Sequence, residues 1–148
     1  MNSIQIFFSK TNSFYSRLIE RFIKIFYKKE TKFTHCGLLI NGKIFEIDSG
    51  SLSGFKEREL GINDVVINVG SVDNEKLSTL INKYSELRYD YSEIVELALD
   101  IEYYKNNFDK KYICSTFVAN FLKDLGIFDK YDRKTIDPSS LYDYYINN

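Results

Sequence analysis

Hydrophobic positions in this chain fall into alternating runs and helical stripes, separated by polar joints. Ile4-Gln5-Ile6-Phe7-Phe8 predicts a short strand, ended by Ser9-Lys10-Thr11-Asn12-Ser13. Leu18, Phe22, Ile25 and Phe26 then recur at helical spacing behind a capping Ser13, which predicts a helix from about Phe14 to Phe26. Phe33 to Ile40 and Lys43 to Asp48 are strand-like runs on either side of Asn41-Gly42, the pair that favours a two-residue hairpin turn. Gly50 through Gly61 reads as a loop. Val65 to Val69 is nearly all apolar and reads as a strand inside a sheet. Asp73 caps a helix from Asn74 to about Leu87, with Leu77, Leu80, Ile81 and Tyr84 inward. Arg88 to Ser92 breaks the pattern, and a further helix follows from about Glu93 to Tyr104, with Ile94, Leu97, Ala98 and Ile101 inward. A polar connector from Lys105 to Lys111 leads to the last strong stripe. There Phe117, Phe121 and Leu125 form one line, Val118 and Leu122 the adjacent one, and Gly126 supplies a left-handed C-cap. Phe128 to Lys134 reads as loop, Asp137-Pro138-Ser139-Ser140 as a turn, and Leu141 to Ile146 as a short helix capped by Ser139 or Ser140.

Two of these elements carry chemistry. The helix after Ile113 starts at Cys114. Backbone N–H groups and the helix dipole both favour a thiolate at that position and can help hold an oxyanion. A small buried apolar residue is the plainer account of such a cysteine. The hairpin supplies the second group. Its turn pairs Ile40 with Lys43, so alternation puts His35, Gly37, Glu46 and Asp48 on one face. Cys36, Leu38, Phe45 and Ile47 take the other, which is expected to be core. Either Glu46, diagonal to His35, or Asp48, opposite it, can accept a hydrogen bond from the imidazole and fix its tautomer. Gly37 either relieves crowding or keeps the floor of a cleft open beside His35.

Composition narrows the functions. At 148 residues and 44% hydrophobic, the chain is expected to fold as one domain, 1–148, with a substantial core. A net charge of −1 without a long basic run argues against nucleic acid as partner. Lys24, Lys28, Lys29 and Lys32 are accounted for by charge near a helix end, with a patch for an anionic membrane or substrate as the lesser reading. Two cysteines, Cys36 and Cys114, do not make a disulfide scaffold, although a bridge between them stays open. One histidine and no Cys-x-x-Cys leave no histidine-rich zinc site, and no metal or cofactor is expected. Neither a signal peptide nor a transmembrane run is legible, so the cytoplasm is the default location. Release by lysis, in a phage particle or through dedicated secretion would leave no such mark.

Taken together, Thr34-His35-Cys36-Gly37-Leu38-Leu39-Ile40, Tyr112-Ile113-Cys114-Ser115-Thr116-Phe117-Val118 and Asp137-Pro138-Ser139-Ser140-Leu141 resemble, in that order, the motifs of a known family. It is the circularly permuted papain-like branch of the NlpC/P60 superfamily, the YiiX-like group, in which the histidine strand precedes the cysteine helix. The resemblance implies an α+β fold, with a small antiparallel sheet packed against the nucleophile-bearing helix. It implies Cys114 as nucleophile, His35 as base and Glu46 as the third residue, with Asp48 as the geometric substitute. Tyr89, Asp90 and Tyr112 become candidate cleft residues alongside Gly37, although packing accounts for them as well. Related acyltransferases often place a second histidine third, and this chain has none. The implied activity is cysteine-dependent hydrolysis of an amide in a peptide or peptidoglycan fragment. An acylated lipid or protein is the rival substrate. A non-catalytic structural or binding protein with the same fold is the other class, and a protein partner gating the cleft stays open.

Overall fold

The Asn41-Gly42 turn has positive φ at both positions, 50° and 78°, as a tight primed turn requires. It joins β2 (His35–Ile40) to β3 (Lys43–Asp48). Leu38 faces Phe45, Leu39 faces Ile44 and Ile40 faces Lys43, the register expected from the turn. In this computed structural model the described residues are 1–12, 16, 17, 20, 21, 24, 30–48, 51–56, 59–85, 88–89, 111–129 and 137–148, with backbone alone at 48, 51–56, 88–89 and 111–112. Of the helix expected over Phe14 to Phe26, residues 16, 17, 20 and 21 are described and helical, and most of the rest lies outside this set. The helix expected over Glu93 to Tyr104 lies wholly outside it, as does most of the Phe128 to Lys134 segment.

The hairpin lies in a five-stranded sheet of order β4-β3-β2-β1-β5. β1 (Asn2–Ser9) pairs antiparallel with β2 and with β5 (Val65–Val72). β4 (Ser51–Lys56) pairs antiparallel with β3. Two expectations are corrected here. The Gly- and Ser-rich stretch after Gly50 contains a strand rather than loop alone. Pairing with the open edge of β3 satisfies its backbone, which composition does not reveal. β5 lies at the sheet's edge rather than inside it. Val65, Ile67 and Val69 pack on the core, whereas Val66 is 37% exposed and Asn68 faces solvent.

Three helices have described bounds. α1 (Asn74–Tyr84) starts under Asp73, whose carboxylate accepts from Lys76 N at 2.8 Å. It ends earlier than Leu87, with Ser85 as its C-cap. α2 (Cys114–Leu125) ends at Gly126, where φ is 76° and the Gly126 and Ile127 N–H groups return to Lys123 and Leu122 carbonyls. α3 (Pro138–Asn147) is capped by Asp137 rather than Ser139 or Ser140. The Asp137 carboxylate accepts from Ser139 N at 2.8 Å and Ser140 N at 3.0 Å, and Pro138 takes the first helical position, where no N–H is needed.

The observed architecture is therefore a mixed α+β fold with a small antiparallel sheet packed against helices. α2 is its centre: Cys114, Phe117, Val118, Phe121 and Leu122 are all buried. Phe45 of β3 meets Phe117 and Phe121 at ring-centroid distances of 5.2 and 5.8 Å, and Tyr84 closes on both from α1. The Tyr84 hydroxyl donates to Asp124 at 2.7 Å, which ties α1 to α2 through a polar tip on an apolar body. Among the described residues, no helix is long and apolar enough to cross a membrane.

Candidate active site

Strand alternation turns Cys36 into the core, as the sequence predicts. Cys114 and Cys36 consequently share the buried core, at 2% and 0% exposure, and both are free thiols. His35 is the first residue of β2. Hydrogen bonding and charge couple the ionisation of Cys114 to Cys36 and to the His35 ring. The ring meets Glu46, with Nε2 to Oε2 at 2.8 Å. Glu46 is buried, and the His35 side chain is 13% exposed. Glu46 thus makes a bond to the ring; Asp48 lies in β3 with its side chain outside the described set.

Electrostatics polarises the cluster. The Cys36 hydrogen bond pulls the Cys114 pKa down, burial opposes it, and the His35 hydrogen bond and charge add to the pull. The net shift is well below the usual thiol range. Burial also works against a charged His35. Hydrogen bonds and charge from Cys114, then from Glu46, outweigh it and leave the imidazole raised to about 10. Cys36 goes the other way, well above the ordinary thiol value. Burial is the main cause, and negative charge at Cys114, Asp137 and Glu46 adds to it. The shifts favour negative charge on Cys114 and a proton on His35 and on Cys36.

The surroundings hold this geometry. Gly37 has no space for a side chain: a Cβ there would sit 2.6 Å from Phe7 Cε1 and 2.8 Å from Glu46 Cβ. The Phe7 ring packs against the His35 ring at 5.9 Å. Gly37 thus relieves crowding, the first of its two expected roles. At the start of α2 the capping residue is Ile113, which has no side-chain acceptor. Thr116 Oγ1 accepts from Ile113 N at 3.1 Å instead and fixes the turn that presents Cys114. Arg88–Tyr89 (β6) and Lys111–Tyr112 (β7) form a short parallel pair, with Tyr89 opposite Tyr112. Two of the expected cleft residues are thus brought together along the backbone just before Cys114. Their side chains, and Asp90 altogether, lie outside the described residues.

Sequence reasoning missed three contributors. Cys36 is expected on the core face, but its coupling to Cys114 emerges only when both are placed in one core. Ser139 accepts from Phe33 N at 3.0 Å and donates to Phe33 O at 3.2 Å, which pins the chain entering β2. No local signal connects residues so distant in sequence. Phe7 reads as one more core aromatic until β1 is placed beside β2 with Phe7 opposite Gly37. Among the described residues, no three His, Cys, Asp or Glu side chains are grouped to hold a metal ion. Comparison with protein-family profiles, characterised proteins and solved structures yields no match.

Proposed function

We propose that the protein is a cysteine hydrolase of the permuted papain-like NlpC/P60 kind, cleaving an amide through a thioester acyl-enzyme. The observation that carries this reading is the His35–Glu46 hydrogen bond, 2.8 Å onto a buried carboxylate, together with Cys114 at the first position of α2, its pKa drawn down by Cys36 and by His35. Each member has the character its task needs. The Cys114 thiolate attacks the acyl carbonyl, and the carbon–sulfur bond forms as the carbonyl π pair moves onto oxygen. The Cys114 N–H at the start of α2 faces the developing oxyanion. His35, already protonated, delivers its proton to the leaving nitrogen as the carbon–nitrogen bond breaks. It then takes a proton from the water that hydrolyses the thioester. Glu46 holds the ring and stabilises its positive charge throughout. Cys114 is only 2% exposed, so a carbonyl reaches its sulfur once neighbouring atoms move aside, which suits a site opened by its substrate or by a protein partner.

The test is acylation of Cys114, followed by mass spectrometry of the intact chain. Stem-peptide amides, acyl thioesters and aryl esters would be presented in parallel to wild type, Cys114→Ala and His35→Ala. The expected result is a trapped acyl adduct on Cys114 with leaving-group release, absent in Cys114→Ala. Release should be slowed by on the order of tenfold or more in His35→Ala, because an unassisted thiol is only a few per cent ionised at neutral pH. Turnover of thioesters or lipid esters but not amides would move the assignment to the acyl-transfer branch. Wild type indistinguishable from both variants on every carbonyl would end the hydrolase reading.

A further inference from the structure

One buried hydroxyl beside the imidazole is unspent. Ser9 ends β1 directly opposite His35, the first residue of β2. Opposed residues of an antiparallel pair share a face, with Cβ atoms about 4.5–5.5 Å apart. Phe7, two residues back on that face, packs its ring on the His35 ring at 5.9 Å. Ser9 is buried, and its hydroxyl makes no hydrogen bond among the described residues. Other buried hydroxyls in this corner are paired: Thr34 Oγ1 accepts from Thr11 N at 2.9 Å, and Ser16 bonds the Thr11 hydroxyl. Nor is Ser9 loosely held. Its carbonyl accepts from Thr34 N at 3.0 Å, and the Thr11–Thr34 bonds clamp the chain just beyond it. A buried hydroxyl left unpaired costs stability and calls for a reason, and a task in the reaction is one.

We propose that the Ser9 hydroxyl seats the water that hydrolyses the acyl-enzyme, holding it against His35. The inference rests on the reading of Cys114 as nucleophile and His35 as its base. Ring geometry limits what the hydroxyl can serve. Nε2, at the far end of the ring, is held by Glu46 at 2.8 Å. Nδ1 is two bonds from Cβ and stays beside the strand, on the face where Ser9 Oγ stands one bond from its own Cβ. The hydroxyl is not bonded to the ring, yet the two Cβ atoms are only about 5 Å apart. One oxygen spans such a gap by two hydrogen bonds of about 2.8 Å each. The entering water is the reactant that needs this hold. A leaving amine is carried by the rest of its substrate, whereas a water in a buried site rests on about two to four polar partners. A serine hydroxyl donates or accepts as that water requires. The seated water gives a proton to His35 as its oxygen bonds to the thioester carbon and the carbonyl π pair moves onto oxygen. The pair returns as the carbon–sulfur bond breaks. Cys114 leaves as thiolate, His35 is left as imidazolium, and the acid product keeps the second hydrogen of the water. Ser9 exchanges no proton, so it is a positioning residue for the second half of the reaction.

The experiment separates the two half-reactions with p-nitrophenyl acetate, which acylates an activated thiol and releases a coloured leaving group. Stopped-flow absorbance reads acylation. Decay of the acetyl adduct on Cys114, followed by intact mass after the ester is removed, reads hydrolysis. Ser9→Ala should acylate at the wild-type rate and keep its adduct about tenfold longer, the effect of one lost hydrogen bond. Ser9→Thr should release the adduct nearly as fast as wild type. Ser9→Val differs from Ser9→Thr by the hydroxyl alone and repeats the comparison should the Ala variant fold poorly. If wild type forms no adduct on Cys114, the nucleophile reading fails and the inference with it. If the adduct forms but Ser9→Ala and Ser9→Val release it as fast as wild type, the inference alone is overturned. Acylation and release slowed by the same factor would assign the hydroxyl to the oxyanion or to packing, and would overturn it as well.

Discussion

Gly37→Ala strikes the site through steric contact rather than through any lost functional group. An added methyl would lie 2.6 and 2.7 Å from two carbons of the Phe7 ring and 2.8 Å from Glu46 Cβ. Ordinary contact begins near 3.4 Å, so the ring must retreat by about 0.8 Å and Glu46 by about 0.6 Å. Neither has room, because Phe7 is fully buried and Glu46 nearly so. Both also touch His35. A retreat of Glu46 along its bond stretches the 2.8 Å contact to about 3.4 Å, too long to hold a charged ring firmly. Overpacking of this kind costs about 1–3 kcal/mol. For a domain of this size, about 2 kcal/mol lowers the melting temperature by roughly 4–8 °C. The chain has one histidine, so proton NMR of the imidazole reads this ring without ambiguity. The expected result is a lower melting temperature together with a His35 midpoint that falls from about 10 toward the ordinary 6.5. A variant that melts with wild type and keeps its imidazole titration would refute the claim that Gly37 seats Glu46 and Phe7 against His35.

Three further outcomes are expected. The raised His35 value means that its contribution to stability is complete below about 6.5 and is lost as pH rises through about 10; the depressed Cys114 value works in the opposite sense, its contribution being present in alkali and lost as pH falls through its folded-state value. Urea midpoints measured across the alkaline range should therefore decline in wild type and flatten in His35→Gln, and equal slopes in the two would count against the ion pair. Ser139→Ala strips two hydrogen bonds from the Phe33 backbone and should destabilise the fold by about 1–3 kcal/mol, while Ser139→Thr should retain part of that stability; calorimetry decides. Ser9 is 3% exposed, its hydroxyl has no hydrogen-bond partner among the described residues, and it sits opposite His35 in the register of β1 and β2, so Ser9→Ala should stabilise the chain by about 1 kcal/mol. A clear loss of stability there would mean that the hydroxyl is paired in solution, and denaturant unfolding is sufficient to tell.

The chain's local patterns determine a good part of the site. Asn41-Gly42 dictates the primed turn, and the turn dictates the register that sets His35 diagonal to Glu46, because a two-residue loop permits one pairing and strand alternation does the rest. The apolar stripe and Gly126 likewise delimit the helix that starts at Cys114. These are local determinants, written within a dozen residues of the atoms they position. What the tertiary structure alone decides is which of these pieces meet. The strand within the Gly50 to Gly61 stretch exists because β3 has an edge to offer it, and the exposed outer face of β5 follows from its rank in the sheet. The Ser139 clasp on Phe33 joins residues more than a hundred positions apart. The coupling of Cys36 to Cys114 depends on how one helix end and one strand are packed into the same core. A pattern of apolar positions fixes which face is buried but carries no coordinate along it, so the neighbours of the sulfur are settled by packing the whole core.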